Sequence, residues 1–513
     1  MMNPLIPLFV AVPLAGAFLT MITGKFIKNL NRYIGLIVLL FLAVSSYYSL
    51  INTAGNVSVY KVGGWEPVNG IPIGIYMVMD SLTVILLCII NTIGLLAIFY
   101  SFSYISQYTS ENYFYALFCL MVAGMNGVVL SGDLFNIYVF IEISAISSYA
   151  LVAFGVEREQ LEATFKYQVL GGLASLLILL GIGFIYWKAK TLNLADIKIA
   201  FGTAPEKKHY LLVQILLLSG FGLKAAIIPF HAWLPDAHSS APSPISAMLS
   251  GVLIKAAGIY VILRLFFNMF IISEEVAILI TTLGALSMVI GVLLAIGQWD
   301  IKRLLAYHSI SQMGYVVMSV GTGMILVARN TKPEIASLAI FGGLFHLINH
   351  AAFKSLLFLN AGAIEYRIGT RNLQEMGGMS AFMPATSSTS FVASMAISGI
   401  PPFNGFFSKL IIIIASIMAK FYLLALIAVI VSIITLASFM KFQRYAFYNK
   451  EVKKDEKSPK EVPFPMVLSM ITLGILCLLL SLLVLPQVRD TVLKPAIDIL
   501  MNSQMYISPI LGM

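Results

Sequence analysis

Five ionisable residues stand inside apolar runs of this chain. They are Glu142 in "FNIYVFIEISAISSYALVAF", Lys224 in "GFGLKAAIIPF", Lys255 in "GVLIKAAGIY", Lys354 in "HLINHAAFKSLLF" and Lys409 in "PPFNGFFSKLIIII". A charge at mid-bilayer costs about 2.5–3.5 kcal/mol on insertion scales. A purely structural protein gains nothing from five of them, whereas a series of groups that gain and lose protons would need them. Snorkelling is a competing account for Lys409, which follows closely on Pro401 and Pro402; it suits Lys224, Lys255 and Glu142 poorly. His346, His350 and Lys354 are spaced by four. Each step of four drifts about 40° around a helix, so the three share one face. Two histidines at that spacing can hold zinc, or be core histidines with satisfied hydrogen bonds, or relay protons, since histidine changes charge near neutral pH. No acid or cysteine joins them in the run and a lysine lies one turn on, which favours the relay over a metal site.

Two of the lysines flank helix breakers. Lys224 precedes Pro229, and Lys409 follows Pro401 and Pro402. Proline removes a helical hydrogen bond, and in hydrocarbon the freed groups are tolerated where helices line a polar cavity. The order is mirrored between the two places, as two inverted repeats would make it. Prolines that merely kink two packed helices are the alternative.

The elements that hold these residues must be membrane helices. Hydrophobic residues make up 59% of the 513 positions and charged residues 11%, against about 25% charged in soluble proteins. The apolar runs are continuous, which disfavours a barrel. The pattern predicts an all-α polytopic membrane protein with fourteen spans, at 4–23, 33–51, 80–103, 112–131, 134–154, 162–187, 210–238, 244–268, 275–297, 303–327, 335–361, 386–418, 421–446 and 464–486. The seventh and twelfth are broken at the prolines. The N-terminus has no basic region before its apolar run and reads as the first span rather than a signal peptide. Residues 52–79, rich in Gly and Pro, read as a folded surface loop or hairpin. Residues 448–465 read as a solvated connector. Cys88, Cys119 and Cys477 form no pair motif and read as apolar packing residues.

The net charge of +9 comes with no basic patch interleaved with aromatics, so no nucleic-acid partner is expected. Cations at loop ends facing cytoplasm and anionic lipid account for it. Loops carrying Lys25, Lys28, Arg32, Arg158, Lys166, Lys302, Arg303, Arg367, Arg371 and the run from Lys441 to Lys460 outweigh those on the terminal side, where Arg264 is counted. Both termini are therefore expected outside the cytoplasm.

The strings "GLKAAIIPFHAWLPDAHSSAPSPISAMLSGVLIKAAGIYVILR", "IKRLLAYHSISQMGYV", "HLINHAAFKSLLFLNAGAI" and "SGIPPFNGFFSK" resemble the antiporter-like subunits shared by respiratory complex I, Mrp-type cation/proton antiporters and energy-converting membrane-bound hydrogenases. The resemblance spans the fourth to thirteenth helices. It implies fourteen helices with inverted five-helix repeats at spans 4–8 and 9–13, broken helices seven and twelve, and termini outside the cytoplasm. In segments, it implies three N-terminal spans over 1–111, a first repeat over 112–268, a second over 269–446, and a polar loop with the last span over 447–513. The ion-path residues it implies are Glu142, Lys224, Lys255, His346, His350, Lys354 and Lys409, with His231, His238 and His308 in motifs near the cavity ends. Position 409 is lysine where the middle complex I subunit has glutamate, and no long lateral helix is expected after the last span. An archaeal hydrogenase or sulfur-reductase subunit is the expected relative. The resemblance implies partner membrane subunits and a peripheral redox arm. No cofactor is expected in this chain, and iron–sulfur clusters or a nickel–iron centre are expected in partners. The function expected is proton or sodium translocation driven by redox chemistry elsewhere. An Mrp-type antiporter without redox partners and a scaffold with a vestigial path are the competing functions.

Overall fold

The computed structural model describes residues 4–24, 26–27, 29–53, 55–66, 72–108, 111–202, 207–449 and 460–512. Lys25, Lys28, Lys450, Lys453, Lys454 and Lys457 of the charge pattern lie outside these residues, as do Pro67, Gly70 and much of the 448–465 connector. Backbone polar groups in hydrocarbon must be satisfied within their own segment, so the apolar runs form helices. The first are α1 (Leu8–Thr23) and α2 (Leu30–Thr53), followed by the antiparallel hairpin β1 (Ser58–Lys61) and β2 (Tyr76–Met79) inside the expected 52–79 loop. Then come α3 (Ser81–Tyr104), α4 (Glu111–Leu130), α5 (Leu134–Val152), α6 (Arg158–Ala189), α7 (Leu194–Gly202), α8 (Lys207–Lys224) and α9 (Trp233–Ser240). The second half holds α10 (Ser243–Met269), α11 (Glu274–Ile296), α12 (Ile301–Ala328), α13 (Pro333–Ile368), α14 (Pro384–Ser398), α15 (Asn404–Met418), α16 (Tyr422–Gln443) and α17 (Phe464–Leu479). Short helices α18 (Pro486–Val492), α19 (Lys494–Met501) and α20 (Ser503–Leu511) follow. Among the described residues, 11 helices are long and apolar enough to cross a membrane, and Leu8–Thr23, Leu211–Lys224 and Asn404–Met418 are shorter apolar helices. The chain is a polytopic membrane protein.

The breaks fall where the prolines predict, and they are closed alike. α8 stops at Lys224; Ala226 turns left-handed with φ 54°, its N–H reaches Leu223 O at 3.1 Å, and the Ile227 N–H reaches Gly222 O at 2.9 Å. α14 stops at Ser398; Gly399 turns left-handed with φ 79°, its N–H reaches Ala396 O at 3.1 Å, and the Ile400 N–H reaches Met395 O at 3.1 Å. This double closure satisfies carbonyls that a helix end would leave bare in the membrane. Trp233 Nε1 adds a bond to Leu223 O at 2.9 Å. The Ile228–Pro229 and Pro401–Pro402 bonds are cis.

Two glycines let neighbours approach the breaks. A Cβ on Gly258 of α10 would lie 2.5 Å from Ala225 Cβ, and one on Gly405 of α15 would lie 1.8 Å from Ala396 O. The second contact is backbone and cannot give without separating α15 from α14. Overpacking costs about 1–3 kcal/mol, so Gly405→Ala is expected to lower the melting temperature and yield of detergent-extracted protein. Gly172→Ala, with nothing within 4 Å, is expected to be neutral in the same two measurements.

Two spans differ from the pattern. α10, expected as a plain helix, has π-helical stretches at Leu249–Leu253, Lys255–Ile259 and Arg264–Met269. The widened turn lets Lys255 Nζ donate to Ser250 O at 2.8 Å, a use to which such bulges are often put. The last span, expected over 464–486, is α-helical only to Leu479 and becomes 3-10 through Val484.

Candidate functional site

The first centre joins α5, α6 and α8. Lys224 Nζ lies 3.4 Å from Glu142 Oε1 and 3.1 Å from Ser175 Oγ. The Ser175 hydroxyl lies within hydrogen-bond distance of Glu142 Oε1 and, at 2.9 Å, of Gly171 O, and its one proton can go to either. Lys224 is the last residue of its helix, where the negative end of the helix dipole favours a cation. A cavity of about 10 Å³ beside it, lined by Lys224, Ser144, Tyr167 and Trp233, is the size of one water.

Glu142 lies midway along α5 as expected, but on an outer face of the chain. Its side chain is 29% exposed against 7% for Lys224, and Phe135, Val139 and Ile146 are exposed on the same helix. At helical spacing these four share a face.

The second centre joins α14, α15 and α16. Lys409 Nζ donates to Ile397 O at 2.8 Å and to Ser432 Oγ at 3.2 Å, and Ser432 donates to Ser398 O at 3.1 Å. The amine also sits 5.0 Å from the ring centroid of Tyr315. Lys409 is buried and points at the broken end of α14, so snorkelling does not explain it. Each centre thus has a lysine, a serine from a neighbouring helix and the C-terminus of a half-helix. The carboxylate belongs to the first centre.

Lys255, His346, His350 and Lys354 are fully buried between the centres. His346 is satisfied: Nδ1 lies 3.0 Å from Ser408 Oγ, and Nε2 lies 3.2 Å from Gln312 Oε1. Its ring is 5.5 Å from that of Tyr315, which links it to Lys409. His350 is within electrostatic reach of Lys255, Lys354, His346 and His238. Both its ring nitrogens and Lys354 Nζ have no hydrogen-bond partner among the described residues. Buried groups of this kind are ordinarily served by water. The ladder that spacing predicts as one face is therefore mixed, with a satisfied histidine at one end and two unsatisfied groups beyond it.

The three cavity-end histidines separate. His238 is fully buried with both ring nitrogens unpartnered among the described residues. His308 is fully buried with Nε2 2.8 Å from Ser438 Oγ. His231 is half-buried at the surface, with Nδ1 3.4 Å from Pro229 O. The structure does not bring it to the buried series. Among the described residues no group of three or more His, Cys, Asp or Glu is placed to hold a metal ion.

Some charges escape the sequence pattern. Asp80 is fully buried, so Glu142 is not the only acid held in the interior. Arg264, counted among loop-end cations, is buried: Nη2 lies 2.5 Å from Asp80 Oδ1, and its other nitrogens reach Tyr260 and Asn268. Lys302, counted likewise, is buried and pairs with Glu365 at 3.0 Å. Ser175, Ser432 and Gln312 also go unnoticed in the sequence, because serine and glutamine inside apolar helices carry no distinctive spacing.

Set beside known proteins, the chain matches the family described as NADH:quinone oxidoreductase/Mrp antiporter, TM, over residues 131–435. The chain belongs to this family. The matched stretch holds Glu142 to Lys409 and both breaks. The chain is 33% identical over 507 residues to an Na(+)/H(+) antiporter subunit of Alkalihalophilus pseudofirmus, covering 97% of this chain and 99% of that one. It is 34% identical over 420 residues to NADH-quinone oxidoreductase subunit N of Desulforudis audaxviator, covering 81% of this chain and 79% of that one. Its structure resembles a chain of the Mrp complex from Dietzia sp. DQ12-45-1b, with TM-score 0.89, 26% identity and 99% of each chain covered. It also resembles a chain of the membrane-bound sulfane sulfur reductase, an archaeal respiratory membrane complex, with TM-score 0.87, 26% identity and 99% of each chain covered.

Proposed function

We propose that this protein is an ion-translocating, antiporter-like subunit of a larger complex in the cell membrane, moving protons, or sodium ions coupled to protons, through a series of buried side chains. One observation carries the reading: His350, Lys354 and His238 are buried without hydrogen-bond partners among the described residues, between two lysines held at helix breaks. Such an interior is costly unless water and mobile protons serve it. Glu142 stabilises the cation on Lys224 until a neighbouring subunit weakens the pair. The proton then passes through Lys255 and the α13 groups to Lys409. Exposure of Glu142 on the outer face of α5 supports a protein neighbour there, since a mid-span carboxylate facing lipid is unfavourable.

Counting α1, the α8–α9 pair and the α14–α15 pair as crossings supports fourteen spans, and the like closure of the two breaks supports reading them as two repeats. The lysine and arginine distribution supports both termini outside the cytoplasm. Protease or thiol-labelling access to the 448–465 connector is then expected from the cytoplasmic side alone; access only from outside intact cells would overturn that orientation. Redox centres, whether iron–sulfur or nickel–iron, belong to partner subunits in this reading, which the likeness to a chain of the sulfane sulfur reductase supports. The near whole-length match to an Na(+)/H(+) antiporter subunit favours a second reading, an Mrp-type complex without redox subunits.

The test is purification of the intact complex, identification of its subunits, and reconstitution into vesicles. Redox partners and a gradient formed on adding electron donor support the first reading. Small membrane subunits alone, with sodium-driven proton exchange, support the second. No ion movement under either drive would overturn both.

A further inference from the structure

Lys302 has no part in the series described above, yet burying its ammonium needs a reason. Its side chain is 2% exposed, and it lies on the wall of a polar cavity of about 540 Å³ whose other lining includes Glu157, Glu159, Asp300, Glu365 and Arg371. The cavity is framed by the start of α6, the end of α9, the start of α12 and the end of α13. A second polar cavity, of about 400 Å³, shares Glu159, Ser240, Asp300 and Arg371 with it. Polar spaces of this size hold water.

Behind Lys302 lies the elbow between α9 and α10. Lys302 Nζ donates to Ala241 O at 3.0 Å and pairs with Glu365 Oε2 at 3.0 Å. Ser246 Oγ shares the Ala241 carbonyl at 3.2 Å and donates to His238 O at 2.8 Å. His238 is within electrostatic reach of Lys354 and Lys255. The ammonium therefore stands between the wet cavity and the backbone of the elbow that carries His238. Its carboxylate partner faces a second cation, since Glu365 Oε1 lies 3.7 Å from Arg371 Nε, for which it competes with Asp300 Oδ2 at 3.2 Å. A carboxylate shared by two cations can hold one or release it.

We propose that Lys302 gates this cavity: bridging Ala241 O and Glu365, its ammonium shuts water out of the space around His238, and transfer of Glu365 to Arg371 opens it. Its purpose rests on the ion-path reading, but its test does not. A lysine that only fastened α12 to α9 would have no need of the cavity wall, where its removal joins the cavity to the histidine.

The test uses the whole complex in membrane vesicles, with Cys88, Cys119 and Cys477 replaced by alanine and Ser246→Cys as reporter. Ser246 is fully buried. The rate of modification by 2-aminoethyl methanethiosulfonate is measured with Lys302, with Lys302→Ala and with Lys302→Arg. Slow modification with lysine or arginine, and modification about tenfold faster with alanine, is the expected result for a closed state that the ammonium holds. Glu365→Gln, which leaves the amine in place, is expected to speed modification as well and serves if Lys302→Ala is not recovered. Equal rates with alanine and lysine would overturn the gate, as would fast modification with Lys302 in place. Loss of ion transport plays no part in that reading of the labelling; a parent complex that labels as expected but moves no ions would count against the ion path alone.

Discussion

Glu142→Gln is expected to cut ion translocation at least tenfold while leaving the complex assembled. The glutamine is isosteric and still offers an oxygen to Ser175 and Lys224, so the hydrogen bonds at the first centre survive. What is lost is the charge 3.4 Å from Lys224 Nζ. Two unit charges at that spacing interact by about 5 kcal/mol at an effective dielectric near 20, and partial exposure of Glu142 reduces this. A remainder of about 1.4 kcal/mol is already a factor of ten in the protonation equilibrium of Lys224. In the proposed function the centre has two settings. The lysine can be held by the carboxylate or left to the serine and the helix end, and a neighbour on the exposed face of α5 can choose between them. The measurement is the gradient formed per turnover in vesicles, with size exclusion as the assembly control. A wild-type gradient from the Glu142→Gln complex would sink the role given to this pair.

The parts of the site legible from sequence are those whose signal is local. A lysine in an apolar run, a proline beside it and histidines at i and i+4 each announce themselves within one turn or two, and the breaks at Pro229 and Pro401 fall where they should. The parts that were not legible depend on long-range pairing. Asp80 and Arg264 are far apart in sequence, and nothing local says that the two share one buried pair. Lys302 stands two residues from Asp300 near a helix start, which is the usual mark of a solvated cation; only the packing of α9 and α13 over it makes it a buried one. Glu142 shows the limit from the other side. Its depth along α5 could be read from the flanking apolar residues, but the face it occupies depends on which helices pack there. The π-helical stretches of α10 have no local signature either: Gly258 against Ala225 and Gly251 against Ser355 show neighbours pressing on a helix whose own sequence reads as regular.

Lys409→Gln is expected to abolish net ion translocation through the second centre while keeping the fold. Lys409 could be a structural cap, because its amine donates to Ile397 O at the broken end of α14, and a cap there has a purpose in a dry interior. Glutamine offers an N–H donor on a shorter stem in the same pocket and carries no exchangeable charge. A cap would therefore tolerate it, and an ion carrier would not. Arginine is a poorer discriminator than glutamine. It keeps its proton under all physiological conditions, which should stop transport, but space is also short: a Cβ on Gly399 would lie 3.0 Å from Lys409 Cδ, so a guanidinium would crowd the turn as well. The pair of variants separates the causes. Loss of transport by more than about tenfold in both, with the glutamine complex assembled and thermally intact, assigns the proton to the amine, since a factor of ten corresponds to only about 1.4 kcal/mol. Normal transport with glutamine at 409 would leave the lysine as the cap of the Ile397 carbonyl. The exit would then have to be sought among His308, Ser438 and the helices around them, where a buried imidazole already reaches a hydroxyl at 2.8 Å.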